Sequence, residues 1–166
     1  HAYGERLIVH HDAFCEGIDF CRWLDAFDHA LVILNIKEEG IEQRAVDEMT
    51  ARGHNNFFML DLSFPALIKM VRKGESRCAV RVSEYESIDS ALSLAGKVDW
   101  IWLDVFNGFP LDKEAYDQLK GAGFKICLVS PELQGRDKSE IEELSKLIRK
   151  LDIKVDAVCT KHPESW

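Results

Sequence analysis

The chain of 166 residues is long enough for one domain with a sizeable core. Apolar residues make up 46% and charged residues 30%, and 21 Lys+Arg against 29 Asp+Glu leave a net charge of −8. That acidity disfavours non-specific contact with nucleic acid or an anionic membrane, since both need a basic face. No apolar run approaches the roughly 18 residues that would span a bilayer. His1-Ala2-Tyr3-Gly4 lacks the charged and apolar regions of a signal peptide, so none is expected. The cysteines, Cys15, Cys21, Cys78, Cys127 and Cys159, are odd in number and form no C-x-x-C. This argues against a disulfide scaffold or a zinc ribbon. Cys78, Cys127 and Cys159 lie inside apolar runs and read as small core residues in a reducing compartment, the cytoplasm.

Short apolar runs alternate with amphipathic stretches. The runs cover residues 7–9, 30–36, 57–62, 78–82, 100–105, 125–129 and 155–159. They are continuous rather than alternating, as in strands buried on both faces. Between them, Phe20, Trp23, Leu24 and Phe27 share a helical face. Pro65 after Ser63 suits a first helical turn, and Gly74 suits that helix's end. Further helices are predicted around Ile88 to Ala95, around Leu111 to Leu119, and after Ser139-Glu140-Ile141-Glu142, which reads as a capping box.

This strand–helix beat predicts parallel strands covered by helices, with one domain over 1–166. The runs end in polar residues: His10-His11-Asp12, Asn35-Ile36-Lys37, Asp61-Leu62-Ser63, Arg81-Val82-Ser83-Glu84, Asp104, Ser130-Pro131-Glu132 and Thr160-Lys161-His162. Neither G-x-G-x-x-G nor G-x-x-x-x-G-K follows the first strand. Polar strand ends are where a (β/α)8 TIM barrel builds its active site, and that fold is the expectation. Six βα units and a first short strand are countable, fewer than the eight strands of a closed barrel.

A mouth lined by those residues would suit acid–base or metal-assisted work on an anionic group. Each residue also has a plainer reading. Ser63 and Ser83 suit helix caps, Asp12 a turn, and Arg81 with Glu84 a structural pair. His29 and His54 read as solvated, and Trp100 and Trp102 as packing. Neither H-E-x-x-H nor G-x-S-x-G occurs.

The order Leu7-Ile8-Val9-His10-His11-Asp12, Leu34-Asn35-Ile36-Lys37 and Thr160-Lys161-His162-Pro163 resembles the glycerophosphodiester phosphodiesterase superfamily. The nearer likeness is to a branch of small phosphodiesterase-like barrels with N-I-K. It extends through Phe57-Phe58-Met59-Leu60-Asp61-Leu62-Ser63, Arg81-Val82-Ser83-Glu84-Tyr85-Glu86, Trp102-Leu103-Asp104 and Val129-Ser130-Pro131-Glu132. The resemblance implies a TIM barrel that hydrolyses a small phosphodiester with Mg2+ or Ca2+. It puts His11 on a catalytic histidine acting as general acid, with Asp12 beside it. Lys37 falls on the phosphate contact, and Asn35 on a metal-ligand position where glutamate is usual. Arg81, Glu84, Asp104 and Glu132 are expected to line the substrate pocket.

Two departures stand out. The family's H-R-G and E-x-D strands have no counterpart here, and Thr160-Lys161 stands where T-D is usual. Either the parent polypeptide has further N-terminal residues, or the barrel is open and a second copy of the chain covers the gap as a homodimer. Rival expectations are a non-catalytic barrel that binds a phosphorylated or carbohydrate ligand, and a glycosidase using Asp104 or Glu132.

Overall fold

In the computed structural model, which describes residues 1–12 and 14–166, the first ordered feature is a hairpin. Strands β1 (Ala2–Tyr3) and β2 (Arg6–Val9) pair antiparallel through Tyr3↔Arg6. The two-residue loop between them is Gly4-Glu5, with Gly4 at φ +60°, the left-handed backbone that such tight turns need. Strand β3 (Ile18–Asp19) adds antiparallel to the other half of β2. Helix α1 (Phe20–Asp25) starts where the Asp19 carboxylate accepts from the Arg22 N–H at 3.1 Å, and it buries Phe20 and Leu24.

Strands β4 (Val32–Asn35) and β5 (Phe57–Leu60) form a parallel pair in register from Val32↔Phe57 to Asn35↔Leu60. The crossover helix α2 (Glu42–Ala51) buries Ala45, Val46 and Met49. Helix α3 (Phe64–Arg72) is capped by the Ser63 hydroxyl, which accepts from the Ala66 N–H at 3.3 Å, and Pro65 sits in its first turn. Gly74, at φ +82°, follows the end of α3.

Residues 79–166 build a four-stranded parallel sheet in the order β6 (Ala79–Val82), β7 (Trp100–Leu103), β8 (Lys125–Val129), β9 (Ala157–Cys159). Ile101, Leu103, Ile126, Cys127 and Leu128 are wholly buried. Adjacent residues on one strand point to opposite faces, so their joint burial means that both faces of the sheet are covered. Helices α4 (Ile88–Leu92), α5 (Lys113–Gly121) and α6 (Glu140–Lys150) bury Ala91, then Tyr116 and Leu119, then Ile141, Leu144 and Ile148. The start of α6 departs from the capping-box reading, because the Ser139 side chain makes no cap hydrogen bond. Two residues earlier, the Asp137 carboxylate accepts from the Ser139 N–H at 2.8 Å, and Glu140 reaches back to the Asp137 N–H at 3.2 Å.

The chain divides into two compact units, His1–Cys78 and Ala79–Trp166. The expected (β/α)8 barrel is not what forms. The described residues make three sheets, one antiparallel of three strands, one parallel of two and one parallel of four, and no barrel closes among them. The reason is physical. A regular βα beat sets parallel direction and helix cover, whereas closure needs every strand to pair on both edges with consistent tilt and stagger. Here β2 takes antiparallel partners, and among the described residues β4 and β5 form their ladder with each other, with one further bridge, Met59↔Cys78.

Candidate functional site

Within residues 1–78 the polar residues that follow β2 and those at the end of β4 reach one cavity of about 240 Å3. Its walls are largely apolar, with Leu7, Phe20, Trp23 and Leu34 among them, and His10, His11, Asn35 and Lys37 supply polar groups. Local backbone explains the histidines. His10 Nδ1 lies 3.0 Å from the Asp12 N–H and 3.1 Å from the Asp12 carbonyl oxygen, which holds the ring against the Asp12 backbone. His11 Nδ1 lies 2.9 Å from the Asp12 carboxylate. A proton there makes a charge-assisted bond and leaves Nε2 for other work. The hydrogen bond from His11 holds the Asp12 carboxyl below the usual aspartate range. The sequence-expected pair His11–Asp12 is thus in contact, and His11 shares a cavity with Asn35 and Lys37.

Lys37 sits where the β4–β5 ladder runs out, just after the Ile36 N–H donates to the Leu60 carbonyl at 2.9 Å. Its ammonium lies 2.6 Å from Asp61 Oδ2. Asp61 has φ +62°, a left-handed backbone that few side-chain-bearing residues adopt and that Asp tolerates better than most. Lys37 and Asp61 also line a second cavity of about 220 Å3 with Glu38, Glu39, Glu42 and Ser63. There Glu39 accepts from the Ser63 hydroxyl, and Glu42 accepts from the Gly40 N–H at 2.9 Å.

The expected substrate residues of 79–166 fall into three separate arrangements. Arg81 on β6 pairs with Asp104 after β7. Asp104 is wholly buried and also accepts from Trp102 Nε1 at 3.2 Å and from the Gln134 amide. Three donors on one carboxylate offset the loss of its hydration. Glu84 accepts three backbone N–H bonds, from Phe106 at 3.3 Å and from Asn107 and Gly108 at 2.7 Å each. Burial pushes its carboxyl up, but these amides outweigh it and hold the group below the usual range. Arg81 and Glu84 therefore each have partners of their own and are not paired with one another.

Glu132 ties β8 to β9. It accepts from the hydroxyls of Ser130 and Thr160 and from the Lys161 N–H at 3.0 Å, while Trp166 Nε1 donates to Ser130 Oγ at 3.1 Å. Burial raises the Glu132 carboxyl, yet the hydroxyl and amide donors prevail and bring it down to about 2.

The donors present do not fit a resident Mg2+ or Ca2+. Hard cations need several convergent oxygens, usually charged. Asn35 offers one neutral amide, Asp61 is committed to Lys37, and among the described residues no three His, Cys, Asp or Glu side chains converge in a way that could hold a metal. Sequence reading places His10 and Asp61 among the polar run ends but gives neither a role, and it gives none to Gln134. His10 adds a second imidazole at the cavity, Asp61 anchors Lys37, and Gln134 donates to Asp104. Asp61 ends an apolar run just as Asn35 does, and a parallel register between those two runs is the signal that would have matched it to Lys37. No family model matches the chain, and neither does any curated protein or any solved structure.

Proposed function

We propose that the unit His1–Cys78 binds and cleaves a small phosphodiester, as its resemblance to the glycerophosphodiester phosphodiesterase superfamily implies. One observation carries the reading: His10, His11, Asn35 and Lys37 line the same cavity. An ammonium and two imidazoles suit a phosphate monoanion, and an apolar wall suits the organic part of an ester. In this reading Lys37 holds the non-bridging oxygens. Water adds to phosphorus and the P–O bond to the leaving alcohol breaks. His11 Nε2 gives its proton to the departing alkoxide and recovers one from the attacking water. The Asp12 carboxylate on Nδ1 stabilises the imidazolium that precedes transfer. No step is assigned to a metal, because the donors do not fit one.

The test is hydrolysis, by wild type and by His11→Ala, of a glycerol alkyl phosphodiester, whose alkoxide needs a proton in order to leave, with bis(p-nitrophenyl) phosphate, a nitrophenyl ester, as a general screen for turnover. A general acid is worth about 100- to 10,000-fold in rate, so the variant should lose activity on that scale. Equal rates on the alkyl phosphodiester would overturn the assignment.

The absence of a convergent metal-donor set among the described residues favours one alternative, a phosphodiester-binding protein without turnover. It predicts saturable binding of dimethyl phosphate and no hydrolysis of the nitrophenyl ester by wild type. A cytoplasmic location belongs to the same proposal and rests on Cys78 and Cys127 serving as buried core residues. No helix is long and apolar enough to cross a membrane among the described residues.

A further inference from the structure

We infer that Asp61 is the positioning residue for Lys37, fixing its ammonium where the phosphate of the ligand is to be met; this rests on the phosphodiester reading above. Three observations converge on it. First, Lys37 lies at the junction of two cavities, the one it shares with the histidines and the acidic one beyond β4 and β5. A four-carbon stem with a point charge can swing to either side unless something holds it. Second, the carboxylate that does so comes from the neighbouring strand end and stands 2.6 Å away. Third, Asp61 takes a left-handed backbone at φ +62°, an unusual state found disproportionately at functional sites. The Lys37 and Asp61 side chains are 32% and 17% exposed, so the pair is partly shielded and its geometry better defined than that of a solvated surface pair. An ammonium has three N–H donors, and one bond to Asp61 leaves two for phosphate oxygens.

The experiment titrates the whole chain with dimethyl phosphate, followed by backbone amide NMR shifts, in wild type, Lys37→Gln, Asp61→Asn, Asp61→Gly and Lys37→Gln/Asp61→Asn. Asn keeps the size and tolerance of the left-handed backbone, and Gly relaxes that backbone, so at least one single variant retains the fold. Lys37→Gln should weaken binding about ten-fold or more, and each Asp61 variant about three- to ten-fold, the scale of one lost charge contact. The double variant should bind no worse than Lys37→Gln alone, because the effect of Asp61 on the phosphate passes through the lysine. With bis(p-nitrophenyl) phosphate the Asp61 variants should raise KM by the same factor and move kcat by less than about two-fold.

Asp61 variants that bind as wild type does, or more tightly, would overturn the inference, since Asp61 would then be inert or a competing counter-ion. A loss in the double variant that adds to that of Lys37→Gln would overturn it too, by showing an effect on the fold. Unchanged binding in Lys37→Gln, or no binding by wild type, would instead remove the phosphodiester reading itself.

Discussion

The two units use polar residues in opposite ways. In His1–Cys78 the histidine pair stands open, with His11 and Asp12 side chains 87% and 71% exposed, beside a cavity. In Ala79–Trp166 the corresponding carboxylates are satisfied by the chain's own donors, whether buried like Asp104 or exposed like Glu84. The Asp104 side chain is 1% exposed beneath three donors, Glu84 is filled by backbone amides, and Glu132 by hydroxyls and an amide. Exposed groups with unused donors can meet a ligand, whereas a carboxylate saturated by its own chain holds strands and loops together. Residue type at a strand end does not distinguish these roles; the number of internal partners does.

The contrast can be broken at its strongest point first. Asp104→Ala strips Arg81, Trp102 and Gln134 of a shared acceptor and should destabilise the protein by about 3 kcal/mol in urea unfolding. A loss under about 1 kcal/mol would show that Arg81 and Gln134 find water instead, and that the cluster holds less than its burial suggests.

Glu132→Gln should cost about 1–3 kcal/mol near neutral pH, since it weakens charge-assisted bonds to Ser130, Thr160 and Lys161. Its pH dependence sharpens the point. The folded carboxyl titrates at about 2, against 4.5 for the free group. Its stabilisation is therefore fully present above the unfolded value and is lost as pH falls from there through the folded one. The gap between wild type and Glu132→Gln should narrow on acidification over that window. A gap independent of pH would mean that the charge is not what holds β8 to β9.

The smallest expected change lies in the other unit. His11→Ala should shift unfolding stability by less than about 0.5 kcal/mol, because an exposed side chain on a loop packs against little. A larger loss would make His11 a structural residue, and the proposed division between the units would fail.

Much of the fold is legible in the sequence. The runs at 30–36, 57–62, 100–105 and 125–129 contain β4, β5, β7 and β8, and Ser63-Phe64-Pro65 marks the start of α3. The antiparallel partners of β2 are not legible, because Ala2–Tyr3 and Ile18–Asp19 are too short to carry a period. The displaced cap of α6 is missed for a related reason. Asp137-x-x-Glu140 and Ser139-x-x-Glu142 both satisfy the same pattern, and only the backbone path selects between them. Of the candidate site, His11 beside Asp12 is adjacent in sequence and so easily read, whereas Lys37 with Asp61 is a pairing 24 residues apart.

By itself the sequence determined what local periodicity encodes: which segments are apolar enough for strands buried on both faces, which stretches make amphipathic helices, and that neighbouring βα units run parallel. Tertiary structure alone decided which edges pair, that no barrel closes among the described residues, and which carboxylates are consumed internally by Arg81, by the 106–108 amides or by Lys37. The physical reason is range. Side-chain alternation and helix spacing act over a few residues, while register, burial and charge pairing depend on segments tens of residues apart meeting in one geometry.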